Sequence, residues 1–132
     1  MLSADAENLQ LIKKLITAIV NRDFAGVTDC FSGDVILHVP GNTLVSGTFK
    51  GVNDVMSALG HVAQMSGESL KIRLHDAIAN DQHGIVMYEV SATHSSGEIA
   101  YSHIDVYHFR DGHICEIRGY PSDIAAFDRL YG

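Results

Sequence analysis

The chain has 132 residues, 46% hydrophobic and 19% charged, which suits one soluble domain spanning 1–132 with enough apolar residues to bury a core. Its formal net charge is -7, and the nine Lys and Arg are scattered, with Lys13-Lys14 their only adjacent pair. No basic stripe exists to neutralise phosphates and no apolar run is long enough for a membrane span, so neither nucleic acid nor membrane is an expected partner. Cys30 and Cys115 lie far apart without metal-ligand spacing, and the N-terminus lacks the pattern of a signal peptide, so a cytoplasmic location is expected.

In chain order, Leu9, Ile12, Leu15, Ile16, Ile19 and Val20 recur at helical spacing, with Gln10, Lys13, Lys14 and Thr17 opposite, which predicts an amphipathic helix over residues 5–21. Residues 23–31 read as a shorter helix ended by Ser32-Gly33-Asp34. Val35–Val39 is then a strand closed by Pro40-Gly41-Asn42. Leu44 to Phe49 reads as a weak strand or extended loop. A third helix follows Gly51, with Asn53 or Asp54 near its start, Val55, Met56, Leu59, Val62 and Ala63 on its apolar side and Gly67 past its end.

From residue 69 the period changes to two, giving strands 69–79, 84–94, 99–110 and 113–120, joined by Asn80-Asp81-Gln82-His83, Ser95-Ser96-Gly97 and Asp111-Gly112. Ser122 is placed to cap a last short helix carrying Ile124, Phe127 and Leu130. The order predicts an α+β domain in which a curved antiparallel sheet wraps around the N-terminal helices and leaves a conical cavity.

The chemistry concentrates in the strand Tyr101–Arg110. Alternation puts Tyr101, His103, Asp105, Tyr107 and Phe109 on one face. A carboxylate and an imidazole among three aromatic rings is an unfavourable composition for an ordinary core face, so this face is expected to line a pocket. In mid-strand, Asp105 either stays neutral and donates a hydrogen bond to a substrate oxyanion, or pairs ionised with His103 and orients it as a general base. A purely structural polar pair is the alternative.

His38 and Asp123 are further acid/base candidates. The first faces either the cavity mouth or the outer side, and the second is equally well placed to complement a helix dipole. Phe49, Tyr88, Tyr101, Tyr107, Ile117 and Phe127 are candidate cavity-wall residues, each also acceptable as plain core. The histidines form no His-x-His or Glu-x-x-His cluster, so neither metal nor cofactor is expected. Ile104, Val106, Ile114 and Glu116 fall on the other sheet face in a mixture that suits a homodimer interface.

Four segments carry a resemblance: Asn21-Arg22-Asp23-Phe24; Phe31-Ser32-Gly33-Asp34-Val35-Ile36-Leu37-His38-Val39-Pro40-Gly41; Val45-Ser46-Gly47-Thr48-Phe49-Lys50-Gly51; and Ile104 to Ile114. Together they resemble the NTF2-like superfamily of cystatin-like cone folds, and within it the SnoaL-like group of polyketide cyclases and ketosteroid isomerase relatives. The resemblance implies the cone, a homodimer and a small hydrophobic molecule inside. Asp105 falls on the aspartate that ketosteroid isomerases keep protonated to donate to the developing oxyanion. That family's general-base aspartate falls on Val39, and its oxyanion-hole tyrosine on Leu15. The aspartate that serves SnoaL-type cyclases as acid/base has Asp123 as its nearest match.

Such a scaffold hosts isomerases, cyclases, hydrolases, dehydratases and proteins that catalyse nothing. Three readings therefore stand: a cofactor-independent enzyme using Asp105 and His103 to stabilise an enolate of an apolar carbonyl compound, a non-catalytic binder of a small hydrophobic ligand, and a dimerisation scaffold with a filled cone.

Overall fold

A computed structural model describes residues 2–67, 69–95 and 97–132. The elements in chain order are α1 (Ala4–Val20), α2 (Phe24–Asp29), β1 (Phe31–Val39), β2 (Gly47–Lys50), α3 (Val52–Ser66), β3 (Lys71–Ala79), β4 (His83–His94), β5 (Gly97–Arg110), β6 (His113–Pro121) and α4 (Ile124–Tyr131). Ser96, in the expected Ser95-Ser96-Gly97 turn, lies outside the described residues.

Local chemistry accounts for the helix starts. Ser3 Oγ accepts the Ala6 N–H at 3.2 Å to cap α1, and Asp23 Oδ1 accepts the Gly26 N–H at 3.0 Å to cap α2. α3 starts as expected behind Gly51, its N-cap, which offers no side-chain acceptor, and Asp54 sits inside the first turn, where its charge meets the helix dipole. At α4 the cap is Asp123 and not Ser122, because Asp123 Oδ1 accepts the Ala126 N–H at 3.1 Å. Ser122 Oγ instead accepts the Ser102 N–H of β5 at 2.9 Å.

The six strands form one curved, unclosed sheet in the order β2-β1-β6-β5-β4-β3. Four neighbouring pairs are antiparallel, and β1 with β6 is parallel. This parallel pair also corrects the start of β1. Phe31 pairs with Ile114, and the Ile114 N–H donates to the Cys30 carbonyl at 2.8 Å, so the strand begins at Phe31 ahead of Val35. A long-range ladder has overridden the local helix-like pattern there.

β6 carries a second correction. His108 pairs with Glu116 and Phe109 with Ile114, which leaves Cys115 as the extra residue of a β-bulge. The bulge rotates Ile114 inward, to complete burial, and removes it from the outer face on which strict alternation puts it.

The helices cover the concave side unevenly: α1 packs on β3 and β4, α3 on β1 and β2, and α4 on β5 and α3. Two apolar clusters result. The deep one contains Ile12, Leu15, Val35, Leu37, Tyr107 and Phe109, and the one at the mouth contains Val45, Ile99, Tyr101, Phe127, Leu130 and Tyr131. Val39 and Tyr88 pack against both. α4 turns Ala126, Phe127, Leu130 and Tyr131 inward, while Ile124 stays 49% exposed on its outer side. No described helix is long and apolar enough to cross a membrane.

Candidate functional site

The two clusters meet at β4 and β5, where Tyr88 lies opposite His103 and Val86 opposite Asp105. Directly opposed residues of an antiparallel pair point the same way, so Tyr88, His103 and Asp105 all face into the cone. Tyr88 Oη donates to Asp105 Oδ2 at 2.7 Å, and His103 Nε2 lies 3.1 Å from Asp105 Oδ1. Both carboxylate oxygens are thus engaged. His103 is buried, and its ring stacks near Tyr88, centroids 5.1 Å apart, with Phe127 on a similar tilt at 6.2 Å. Space for that ring comes from β6, whose Gly119 lies opposite Asp105. A Cβ on Gly119 would stand 2.8 Å from His103 Nε2 and 3.3 Å from Pro40.

Burial, with the Asp105 charge next in size, pushes the Tyr88 phenol well above its ordinary pKa. Burial does the same to Tyr107 and, together with the nearby Tyr131, to Tyr101. These phenols therefore stay protonated through the neutral range, and that of Tyr88 donates to Asp105. The Tyr101 ring lies 6.1 Å from that of His103, and Tyr131 Oη bonds Ser66 Oγ at 2.9 Å across the mouth.

The residues proposed from the sequence separate into groups. Asp105, His103, Tyr88, Tyr101 and Phe127 come together. Tyr107 lies just below them, and Phe49 and Ile117 belong to the deep cluster, Ile117 opposite Tyr107. His38 is elsewhere: it alternates with the inward Leu37 and Val39 and so points to the outer face. There its Nε2 lies 2.7 Å from Glu116 Oε2 and its Nδ1 3.2 Å from Thr48 Oγ1. The His38 bond is the largest influence holding the Glu116 carboxyl below its ordinary pKa. Asp123 is exposed and its carboxylate serves as the α4 cap. Leu15 and Val39 stand as plain apolar side chains, Leu15 within the deep core.

Two residues of this region escape the sequence reading, Ser66 and Tyr131. The α4 spacing of Phe127, Leu130 and Tyr131 is the signal that leads to the second, but Ser66 gives none. Among the described residues, no group of three or more His, Cys, Asp or Glu is arranged to hold a metal ion.

The family model for SnoaL-like domains matches residues 12–117, most of the chain, including β4 and β5, which carry Tyr88, His103 and Asp105. This chain belongs to the SnoaL-like family. An uncharacterised Mycobacterium tuberculosis relative is 27% identical over 128 residues, 96% of this SnoaL-like chain and 98% of its own length. A solved Xanthomonas campestris protein of unknown function with a cystatin-like fold is 31% identical, with TM-score 0.82, covering 93% of this chain and 96% of that one. TerC, co-crystallised with polyporic acid, shares the fold at 18% identity and TM-score 0.78, covering 96% and 99% of the two chains. Further neighbours of the same shape include NTF2-like, ketosteroid isomerase-like and epoxide hydrolase-like proteins.

Proposed function

We propose that this SnoaL-like protein binds a small apolar carbonyl compound in its cone and moves a proton on it without a cofactor. The observation that carries the reading is Asp105, a carboxylate inside an aromatic wall with one oxygen bonded by Tyr88 and the other facing His103 Nε2. A carboxylate oxygen facing a ring nitrogen at that distance accepts the imidazole N–H. Asp105 then holds the Nε2–H tautomer of His103 and leaves Nδ1 to take a proton from the carbon next to the carbonyl. The Tyr101 phenol, kept protonated by burial, is the donor on hand for the enolate oxygen. Isomerisation, aldol-type cyclisation and dehydration all pass through that enolate. TerC, a fold relative crystallised with a small molecule, supports a small-molecule occupant for the cone.

The test is exchange of α-protons of methyl ketones in heavy water, followed by NMR. Wild type is expected to accelerate exchange. His103→Gln and Asp105→Asn each lose the acceleration, by a factor of about 10² to 10⁴ for the base itself. Equal exchange in all three proteins sinks the catalytic reading. Ketone binding that weakens in the variants, with no exchange in wild type, establishes the second reading, a non-catalytic binder. That reading is favoured by Leu15 and Val39, apolar where ketosteroid isomerases carry a tyrosine and an aspartate.

The proposal includes a homodimer formed through the outer sheet face, where Ile104 and Tyr120, with Ile124 of α4 nearby, remain 37%, 53% and 49% exposed.

A further inference from the structure

We infer that the inner face of β3 is the second half of this site, a strip on which Ile72 and Leu74 receive the apolar tail of the ligand. The inference rests on the proposed reading, in which the ligand's carbonyl end is held at His103 and Asp105.

Register fixes the direction of both side chains. Leu74 lies opposite Tyr88 and Ile72 opposite Val90, both of which face into the cone. Large aliphatic side chains on the concave face of a sheet belong under a helix, yet Leu74 is 51% exposed and Ile72 60%. The uneven helix cover explains it. α1 lies over the other end of β3, where the inner residues are the small Ala77 and Ala79, partly buried against the deep core. α3 lies over β1 and β2, and α4 over β5. The change in side-chain size along β3 therefore matches the change in cover: alanine beneath the helix, and leucine and isoleucine in the gap.

The register shift between Leu74 and Asp76 falls at this boundary and keeps both halves of the strand facing inward. The strip is continuous with the polar centre, because Leu74, Tyr88 and His103 are direct neighbours on β3, β4 and β5. Adjacent strands are roughly 4.8 Å apart, so Leu74 is about 10 Å from His103 across the sheet, a distance spanned by a short alkyl chain or a second ring. Tyr88 stands between them, with its hydroxyl bonded to Asp105 and its ring stacked near that of His103. The ligand class that fits is a carbonyl compound with an apolar tail several carbons long. A compact ketone fills only the polar half.

Calorimetric titration of the full chain with methyl ethyl, methyl butyl, methyl hexyl and methyl octyl ketone tests this. In wild type the dissociation constant should fall about two- to fourfold for each methylene that the strip covers. In the double variant Ile72→Thr, Leu74→Gln that dependence flattens while the affinity for methyl ethyl ketone is unchanged. Both positions are more than half exposed, so the variant should fold, as circular dichroism can verify. His103→Gln does the opposite, weakening all four ketones alike and leaving the dependence on length intact.

An undiminished length dependence in the double variant overturns the inference while the carbonyl site stands. Full affinity of His103→Gln for methyl ethyl ketone overturns the carbonyl site, and with it the assignment of the strip to that ligand. If the double variant changes the sedimentation coefficient and not the length dependence, the strip is a contact between copies and the inference is wrong.

Discussion

Asp105 and Tyr88 share the hydrogen bond at the centre of the inner sheet face. Alternation alone puts Asp105 on the same face as His103, and the strand delivers that. It says nothing of Tyr88, because the partner of a β5 residue on β4 depends on the length of the turn between the strands. The hydrogen bond from Tyr88 matters to both partners. Losing the hydroxyl leaves a half-buried carboxylate oxygen without its donor, which costs roughly 1–3 kcal/mol. Tyr88→Phe should therefore lower the unfolding free energy in urea by about that amount at neutral pH.

The same residue contributes to alkaline stability. Its folded pKa lies above the unfolded value of 10.0, so its contribution is fully present below that pH and is lost as pH rises through the folded value. Tyr88→Phe should show a shallower fall in stability above pH 10.0 than wild type, and identical alkaline limbs would contradict the assignment of the shift to burial beside Asp105.

At the scale of elements, α4 is the piece whose docking completes the site. Its periodicity is readable from the sequence, but the face it buries is not. Ile124 looks like part of the apolar stripe and is exposed, whereas Tyr131 is buried and bonded to Ser66. Docking uses the turn after β1. The Asn42 N–H donates to Asp128 Oδ1 at 3.1 Å, and Gly41, at φ +86, lies so close to α4 that a Cβ there would collide with Asp128 Oδ1 and stand 3.1 Å from the Phe127 ring. A non-glycine residue in that conformation carries a backbone cost of its own, on the order of 1–3 kcal/mol. Gly41→Ala should destabilise the protein by at least about 1 kcal/mol and loosen α4 selectively. Amide exchange should quicken in residues 126–131 and stay unchanged in the centre of β5; uniform quickening would mean that α4 is not separately held.

For the molecule as a whole, the open question is what meets the outer sheet face. The bulge at Cys115 takes Ile114 away from that face, while Ile104 and Tyr120 remain on it beside the His38–Glu116 pair. We expect a dimer in sedimentation velocity at micromolar concentration, converted to monomer by Ile104→Lys with Tyr120→Lys; a wild-type monomer removes the proposal. Much of the fold was legible in the sequence, since helical spacing in α1 and α3 and period-two alternation in β4 and β5 are local properties, set by which side chains must leave water. So was the pairing of Asp105 with His103, two residues apart on one strand. Other features came only from tertiary structure: the early start of β1, the inward turn of Ile114, the outward turn of His38, the arrival of Tyr88 at Asp105 and the uncovered half of β3. Each depends on the register between strands distant in sequence or on where a helix comes to rest, and those are fixed by the packing of the whole cone, not by the residues that display them.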